Sequence, residues 1–207
     1  MRGSDIKRSI LSLKDRGGRI ARERLDTLVD GVFAFSMTLL VVNVELPDDF
    51  RAINGSELLH ALLKLQDTFL GYVITFAVLG SFWIWRAQAK GAPVASASLV
   101  WSVLAHLFFV TLMPFSMVII ARYSFAPAIW LYSGNMLLLA LTAIGVNRAT
   151  SHDTGRQLKL NDISGYIILI ATAILSIVVA AFKPDYAMLA YLVNFALPLM
   201  GRRTNMD

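Results

Sequence analysis

The chain has 207 residues, of which 57% are hydrophobic and 16% are charged, and its formal net charge at pH 7 is +5. A soluble domain carries roughly 25% charged residues, and the hydrophobic residues here lie in long blocks. The composition therefore excludes a soluble enzyme, a disordered chain and, since there is no cysteine, a disulfide-rich secreted module or a thiolate metal site. The sequence predicts an integral membrane protein.

Six segments are long and apolar enough to cross a bilayer, which takes about 20 mostly apolar residues. Because a lone strand would leave backbone groups unpaired in lipid, we expect all regular structure to be helical. The predicted organisation is a basic arm (1–27), an all-α membrane domain (28–201) and a short tail (202–207). The six predicted spans are 28–46, 68–85, 97–121, 127–146, 163–182 and 186–200.

Basic residues concentrate on one side of the predicted spans. Six spans place 15 of the 19 Lys and Arg residues on the side of the two termini and the other 4 on the opposite side. Cytoplasmic loops carry such an excess, so we expect a multi-pass cell-membrane protein with both termini in the cytoplasm. This distribution accounts for the net charge without a nucleic-acid partner.

The basic arm lacks the apolar core of a signal peptide. It either rests on anionic lipid headgroups or frays as a basic tail.

The first span carries the most informative pattern. At about 100° per residue, Phe35, Leu39 and Val42 share one face with the hydroxyl of Thr38. Asp30 points to the opposite side. An apolar face of this kind is compatible with lipid contact, with packing or with a pore.

The ionisable residues of the first span allow several interpretations. Asp30, in the first turns of a helix, is favoured by the helix dipole, and it either clamps the helix through Arg24 or a neighbouring helix or takes part directly in transport. Glu45, Asp48 and Asp49 follow at the far end of the span. There they form either an acidic outer mouth that concentrates cations or ordinary solvated loop charge.

Polar residues of the later spans are expected to connect helices. Asn135, Asn194 and His106 are predicted to hydrogen-bond between helices, with a ligand or proton-relay role as the alternative for His106. We find no nucleophile–base set and no cluster of metal ligands in the sequence. We therefore expect no catalysis, no metal and no cofactor.

The segment from Arg24 to Pro47 resembles the first helix of bacterial members of the transmembrane-protein-175 family, relatives of the endosomal and lysosomal potassium channel. Leu28 and Val29 stand where that family has Phe and Ser. The matching residues of the segment are Arg24, Asp30-Gly31-Val32-Phe33-Ala34, Thr38-Leu39-Leu40-Val41 and Pro47. Further similarity lies in Phe82-Trp83, Leu99-Val100-Trp101 and Leu112-Met113-Pro114-Phe115-Ser116.

The resemblance implies a potassium-permeable cation channel without a carbonyl selectivity filter. It implies a homotetramer in membrane lipid, with six helices per chain. The first helices of the four chains would line a central pore, through which monovalent cations pass. The resemblance also implies an apolar constriction that gates the pore and sieves the permeant ions. The residues that it places there are Phe35, Thr38, Leu39 and Val42. It assigns the bracing of the first helix to Arg24 and Asp30.

Two other functions stay open at this point. One is an ion-coupled secondary transporter that uses Asp30 or His106 as its coupling site. Such transporters commonly carry internal repeats, and none is visible in this sequence. The other is a membrane scaffold or sensor that transports nothing.

Overall fold

The computed structural model describes residues 20–42, 44–46, 50–89, 91–123, 125–192 and 194. Most of the predicted arm, the predicted tail and the end of the predicted sixth span therefore lie outside the described residues. The helices are α1 (Arg22–Val41), α2 (Gly55–Lys64), α3 (Gln66–Gln88), α4 (Ala97–Arg122), α5 (Ala126–Thr154), α6 (Ser164–Phe182) and α7 (Pro184–Ala187), with 3₁₀ turns at Leu160–Asp162 and Met188–Leu192.

Four helices are long and apolar enough to cross a membrane, namely α3 over Thr68–Gln88, α4, α5 and α6. They correspond to the second to fifth predicted spans, so the prediction of a helical multi-pass membrane protein is confirmed. Helix α1 is also 20 residues long, but its first turns are rich in charged side chains. The predicted sixth span is represented by α7, the turn Met188–Leu192 and Asn194. The total of six spans stays a prediction.

A short antiparallel pairing departs from the all-helical expectation. Strand β1 (Ile20–Ala21) pairs with strand β2 (Val94–Ala95), with Ile20 opposite Ala95. The backbone N–H of Arg22 extends this ladder by donating to the Pro93 carbonyl at 3.0 Å. The expectation applied to backbone inside lipid, whereas this pairing lies at helix ends and satisfies its own backbone groups. It ties the start of α1 to the connection between α3 and α4.

Contacts between helix ends show that the long helices alternate in direction. At one end, called here the Arg86 end, Arg86 near the end of α3 bonds Asp26 near the start of α1. At the other, the Arg122 end, Arg122 at the end of α4 bonds Glu45, which follows α1. The pairs that extend this alternation to α5 and α6 are Ser96–Asp153 at the Arg86 end and Trp130–Ile177 at the Arg122 end.

Polar side chains in the core are paired between helices, as predicted for Asn135 and Asn194. The Asn135 amide donates to the Ser116 hydroxyl of α4 at 3.3 Å. The Asn194 amide donates to the Thr172 hydroxyl of α6 at 3.0 Å. Such bonds hold membrane helices together because lipid offers these groups no alternative partner.

The end of α5 offers a test of the backbone geometry. Gly155 ends this helix with a φ of 65°, in the left-handed region that costs other residues roughly 1–2 kcal/mol. Gly155→Ala should therefore lower the free energy of unfolding by about 1 kcal/mol, measured by denaturant unfolding in detergent.

The matched control is Gly145→Ala, inside the same helix, where an added Cβ would meet nothing within 4 Å. This change should leave the stability unchanged or raise it by up to about 1 kcal/mol, because alanine is the better helix former. Equal losses in the two variants would contradict the geometry described for Gly155.

Candidate functional site

Helix α1 buries only one of its sides. The side chains on this face recur every three or four residues, pack against α3 and α4, and are each no more than 3% exposed. They are Leu25, Val29, Phe33, Ser36 and Leu40. The opposite half of the helix faces outward from the described part of the chain.

The four residues of the predicted constriction all lie on this outward half. Phe35 is 64% exposed, Val42 is 60% exposed and Leu39 is 37% exposed. Thr38 is also exposed, and its hydroxyl donates to the Phe35 carbonyl at 2.8 Å. We call these four residues the Phe35 stripe. Each chain presents this mostly apolar surface to lipid or to another chain.

Asp30 connects α1 to α3. Its carboxylate accepts a hydrogen bond from the Trp83 indole nitrogen at 2.9 Å. Arg24 is exposed and makes no hydrogen bond or ion pair with the described residues. The structure thus connects Asp30 to a neighbouring helix, which is one of the two clamps that the sequence allowed. It does not pair Asp30 with Arg24, which was the other.

A second and more buried connection involves residues that sequence reasoning did not single out. Arg22 and Arg86 both bond the Asp26 carboxylate, with nitrogen–oxygen distances of 3.3 and 2.8 Å. The two guanidinium side chains are 9% and 12% exposed, whereas the Asp26 side chain is 45% exposed. Buried charges need such a countercharge, because taking them out of water costs several kcal/mol per ion. This cluster fixes the start of α1 against the end of α3.

A signal for part of this cluster was present in the sequence. Arg22 and Asp26 are four residues apart and so share a helix face. Nothing in the sequence placed Arg86 beside them, because that contact depends on how α1 and α3 pack.

His106 lies behind α1, in the core. Its Nδ1 is 3.1 Å from the Thr142 hydroxyl of α5, which confirms the predicted bond between helices. Its ring packs against Phe33 and Phe82, with centroid distances of 6.0 and 5.4 Å. A cavity of about 20 Å³ beside it is lined also by Arg86, and that volume suffices for one water molecule. The surroundings are those of a packed core histidine.

A larger cavity of about 500 Å³ lies at the Arg86 end, between the ends of α3 and α5 and the start of α6. Its walls include Trp85, Thr150 and the ion-paired Arg156. None of the residues predicted for the constriction, the brace or the acidic mouth lines it. This cavity is separate from the α1 site.

The predicted acidic mouth is described only at Glu45. Its carboxylate pairs with Arg122 at 3.1 Å, and both side chains are more than half exposed. Asp48 and Asp49 lie outside the described residues. An acidic mouth therefore stays a prediction.

Comparison with known proteins identifies a matching family model and two similar proteins. Residues 24–114 match the model of the family described as "Endosomal/lysosomal potassium channel TMEM175". "Potassium channel Cha6605_3372" of Chamaesiphon minutus is 30% identical over 135 residues, which are 62% of this chain and 64% of that protein. "Potassium channel B446_29190" of Streptomyces collinus is 34% identical over 61 residues, 30% of this chain and 28% of that protein. The chain thus matches less than two thirds of the length of either relative.

The Arg22–Asp26–Arg86 cluster gives a direct prediction about stability. Asp26→Asn leaves two buried guanidinium groups without their countercharge, and it should lower the free energy of unfolding by about 2 kcal/mol. This is less than the roughly 3–5 kcal/mol for fully buried pairs, because Asp26 is partly exposed. Denaturant unfolding of the purified protein in detergent measures the loss.

Asp30→Asn is the matched control, because an asparagine oxygen can still accept the Trp83 hydrogen bond. Its effect should stay within about 0.5 kcal/mol. If Asp30→Asn were the more destabilising change, the Arg22–Asp26–Arg86 cluster would not be the main connection at this end of α1.

Proposed function

We propose that this chain is the subunit of a potassium channel in the cell membrane, because residues 24–114 match the model of the TMEM175 family. The family match confirms the resemblance seen in the first-helix motif. The names of both curated relatives point to the same activity, and they indicate a channel rather than an enzyme.

The exposure of the Phe35 stripe is the observation that supports a pore lined by α1. The stripe lies within residues 24–114, the segment that matches the family model. In the proposed assembly, four chains surround a central axis and each contributes its α1. Phe35 and Leu39 are then about 6 Å apart along the pore, and Val42 lies about 4.5 Å beyond Leu39, since an α-helix rises 1.5 Å per residue. The stripe would line a constriction roughly 10 Å long.

Side chains, rather than carbonyl groups, would control permeation at this constriction. Residues Arg22–Val41 form a continuous α-helix, whose interior carbonyls are bonded within the helix and cannot replace the hydration shell of an ion. Rings of Phe35, Leu39 and Val42 would exclude water when narrow and admit hydrated potassium when the helices spread. Thr38 would add a ring of hydroxyl groups.

The charge distribution supports an orientation with both termini in the cytoplasm. Six of the ten described Lys and Arg residues lie toward the Arg86 end, the side of the predicted basic arm. They are Arg22, Arg24, Arg86, Arg148, Arg156 and Lys159. The Arg122 end would then face outward, where Glu45 with Asp48 and Asp49 would attract cations.

An ion-coupled transporter remains the second candidate, but no observation favours it. Asp30 is engaged by Trp83, and His106 is enclosed by Phe33 and Phe82. Both environments suit structural roles. The flux experiment below includes a variant that separates the two functions.

We predict that Leu39→Ser raises potassium flux severalfold in liposomes that contain the purified protein. A hydroxyl in place of a large apolar side chain favours water in the constriction, which opens an apolar gate. Val41→Ser is the matched control, because Val41 is 52% exposed on the same helix but lies off the stripe. Equal flux increases in both variants would contradict the pore assignment.

Asp30→Asn tests the transporter. A channel gated at the Phe35 stripe should keep its flux in this variant, whereas a transporter coupled through the Asp30 carboxylate should lose it. Loss of flux from a folded Asp30→Asn protein would shift the assignment to the second candidate.

The proposed pore also predicts the number of chains in the assembly. Native mass spectrometry of the protein in mild detergent should find four chains per particle, because the outward half of α1 needs partners to enclose a pore. A stable monomer that still conducts potassium would refute a central pore lined by four α1 helices.

A further inference from the structure

Helix α2 is amphipathic, and the described residues leave its apolar side uncovered. Four leucines occupy that side, each between 41% and 57% exposed, and none of the residues of the helix is buried. We call these residues the Leu face, and they are Leu58, Leu59, Leu62 and Leu63. At about 100° per residue they fall within an arc of roughly 140°.

The opposite side of α2 is polar. His60 and Lys64 are exposed there, and the half-buried Glu57 lies beside them. Ser56 lies at the edge of the Leu face, next to Leu63. One acidic and one basic side chain leave this side close to neutral. The helix thus has the apolar and polar faces of a surface-seeking helix without a strong charge of either sign.

The helix is capped but too short to be stable by itself. Asn54 accepts a hydrogen bond from the Glu57 N–H, and Glu57 accepts one from the Ile53 N–H, both at 2.9 Å. Helices shorter than about 12–15 residues are marginal in water even when capped, and α2 has 10 residues. Its formation therefore calls for a surface that buries the Leu face.

The chain places α2 beside the membrane. Leu65 alone separates it from α3, and the membrane-crossing part of α3 begins at Thr68. Four residues of helix correspond to about 6 Å, so the end of α2 lies within about one turn of the hydrocarbon. Exposed apolar side chains continue directly into the first turns of α3, including Phe69 and Leu70.

We propose that α2 is an interfacial helix whose Leu face inserts between the headgroups and acyl chains of the leaflet at the Arg122 end. The occupant of this surface is lipid, because the Leu face continues a helix surface that already crosses the bilayer. Binding rests on apolar burial, since the near-neutral polar side offers no preference for anionic headgroups.

The absence of cysteine from the sequence permits site-directed spin labelling without background. Leu59→Cys and Leu62→Cys report on the Leu face, and His60→Cys and Lys64→Cys report on the polar side. Val73→Cys, exposed on α3, provides a reference for lipid contact. Each nitroxide-labelled protein is reconstituted in phosphatidylcholine vesicles, and collisions with oxygen and with a water-soluble nickel chelate are measured.

Labels at 59 and 62 should resemble the label at 73, with an oxygen-to-nickel accessibility ratio severalfold higher than at 60 and 64. Addition of phosphatidylglycerol to the vesicles should leave this difference unchanged. Labels at 59 and 62 that are shielded from both reagents would show that protein, such as a second copy of the chain, covers the Leu face. High nickel accessibility at all four positions would show that α2 lies in water, and either result overturns the proposal.

Discussion

Polar and charged groups that enter a bilayer have to find their partners within the protein, and this constraint governs the described structure. Arg22 and Arg86 share the Asp26 carboxylate, and Asp30 accepts from Trp83. Asn135 is similarly bonded to a neighbouring helix deeper in the core. The Arg22–Asp26 pair lies within α1. Each of the other bonds also fixes one helix against another, because the partner lies on a different element. Satisfying the polar groups and arranging the helices are thus one process.

The same constraint explains why α1 can present an apolar surface outward. Its charged side chains lie in the first turns, toward the Arg86 end, and Asp26 and Asp30 are engaged by α3. Beyond Asp30 the outward half carries small and apolar residues together with the self-satisfied hydroxyl of Thr38. Such a surface suits either lipid or the proposed apolar constriction.

Some features could be predicted from the sequence because they depend on local periodicity. Hydropathy placed the helices that became α3 to α6, and a helical wheel placed Phe35, Leu39 and Val42 on one face, which the structure shows to be exposed. The Arg22–Asp26–Arg86 cluster and the Asp30–Trp83 bond could not be derived, since both depend on the packing of α1 against α3. The β1–β2 pairing was missed for a related reason, because two residues carry no periodic signal.

The unequal anchoring of α1 has a mechanical consequence. At the Arg86 end the packing of the helix is reinforced by the Arg22–Asp26–Arg86 cluster and by the β1–β2 ladder. At the other end the packing of Ser36 and Leu40 is supplemented by the exposed Glu45–Arg122 pair, a type of contact that contributes little. A rod fixed at one end acts as a lever, and 20 residues of helix are about 30 Å long. A tilt of about 5° about the fixed end would displace Val42 by roughly 2.5 Å, while residues near Asp26 would hardly move. A tilt of this kind would thus be largest at Leu39 and Val42.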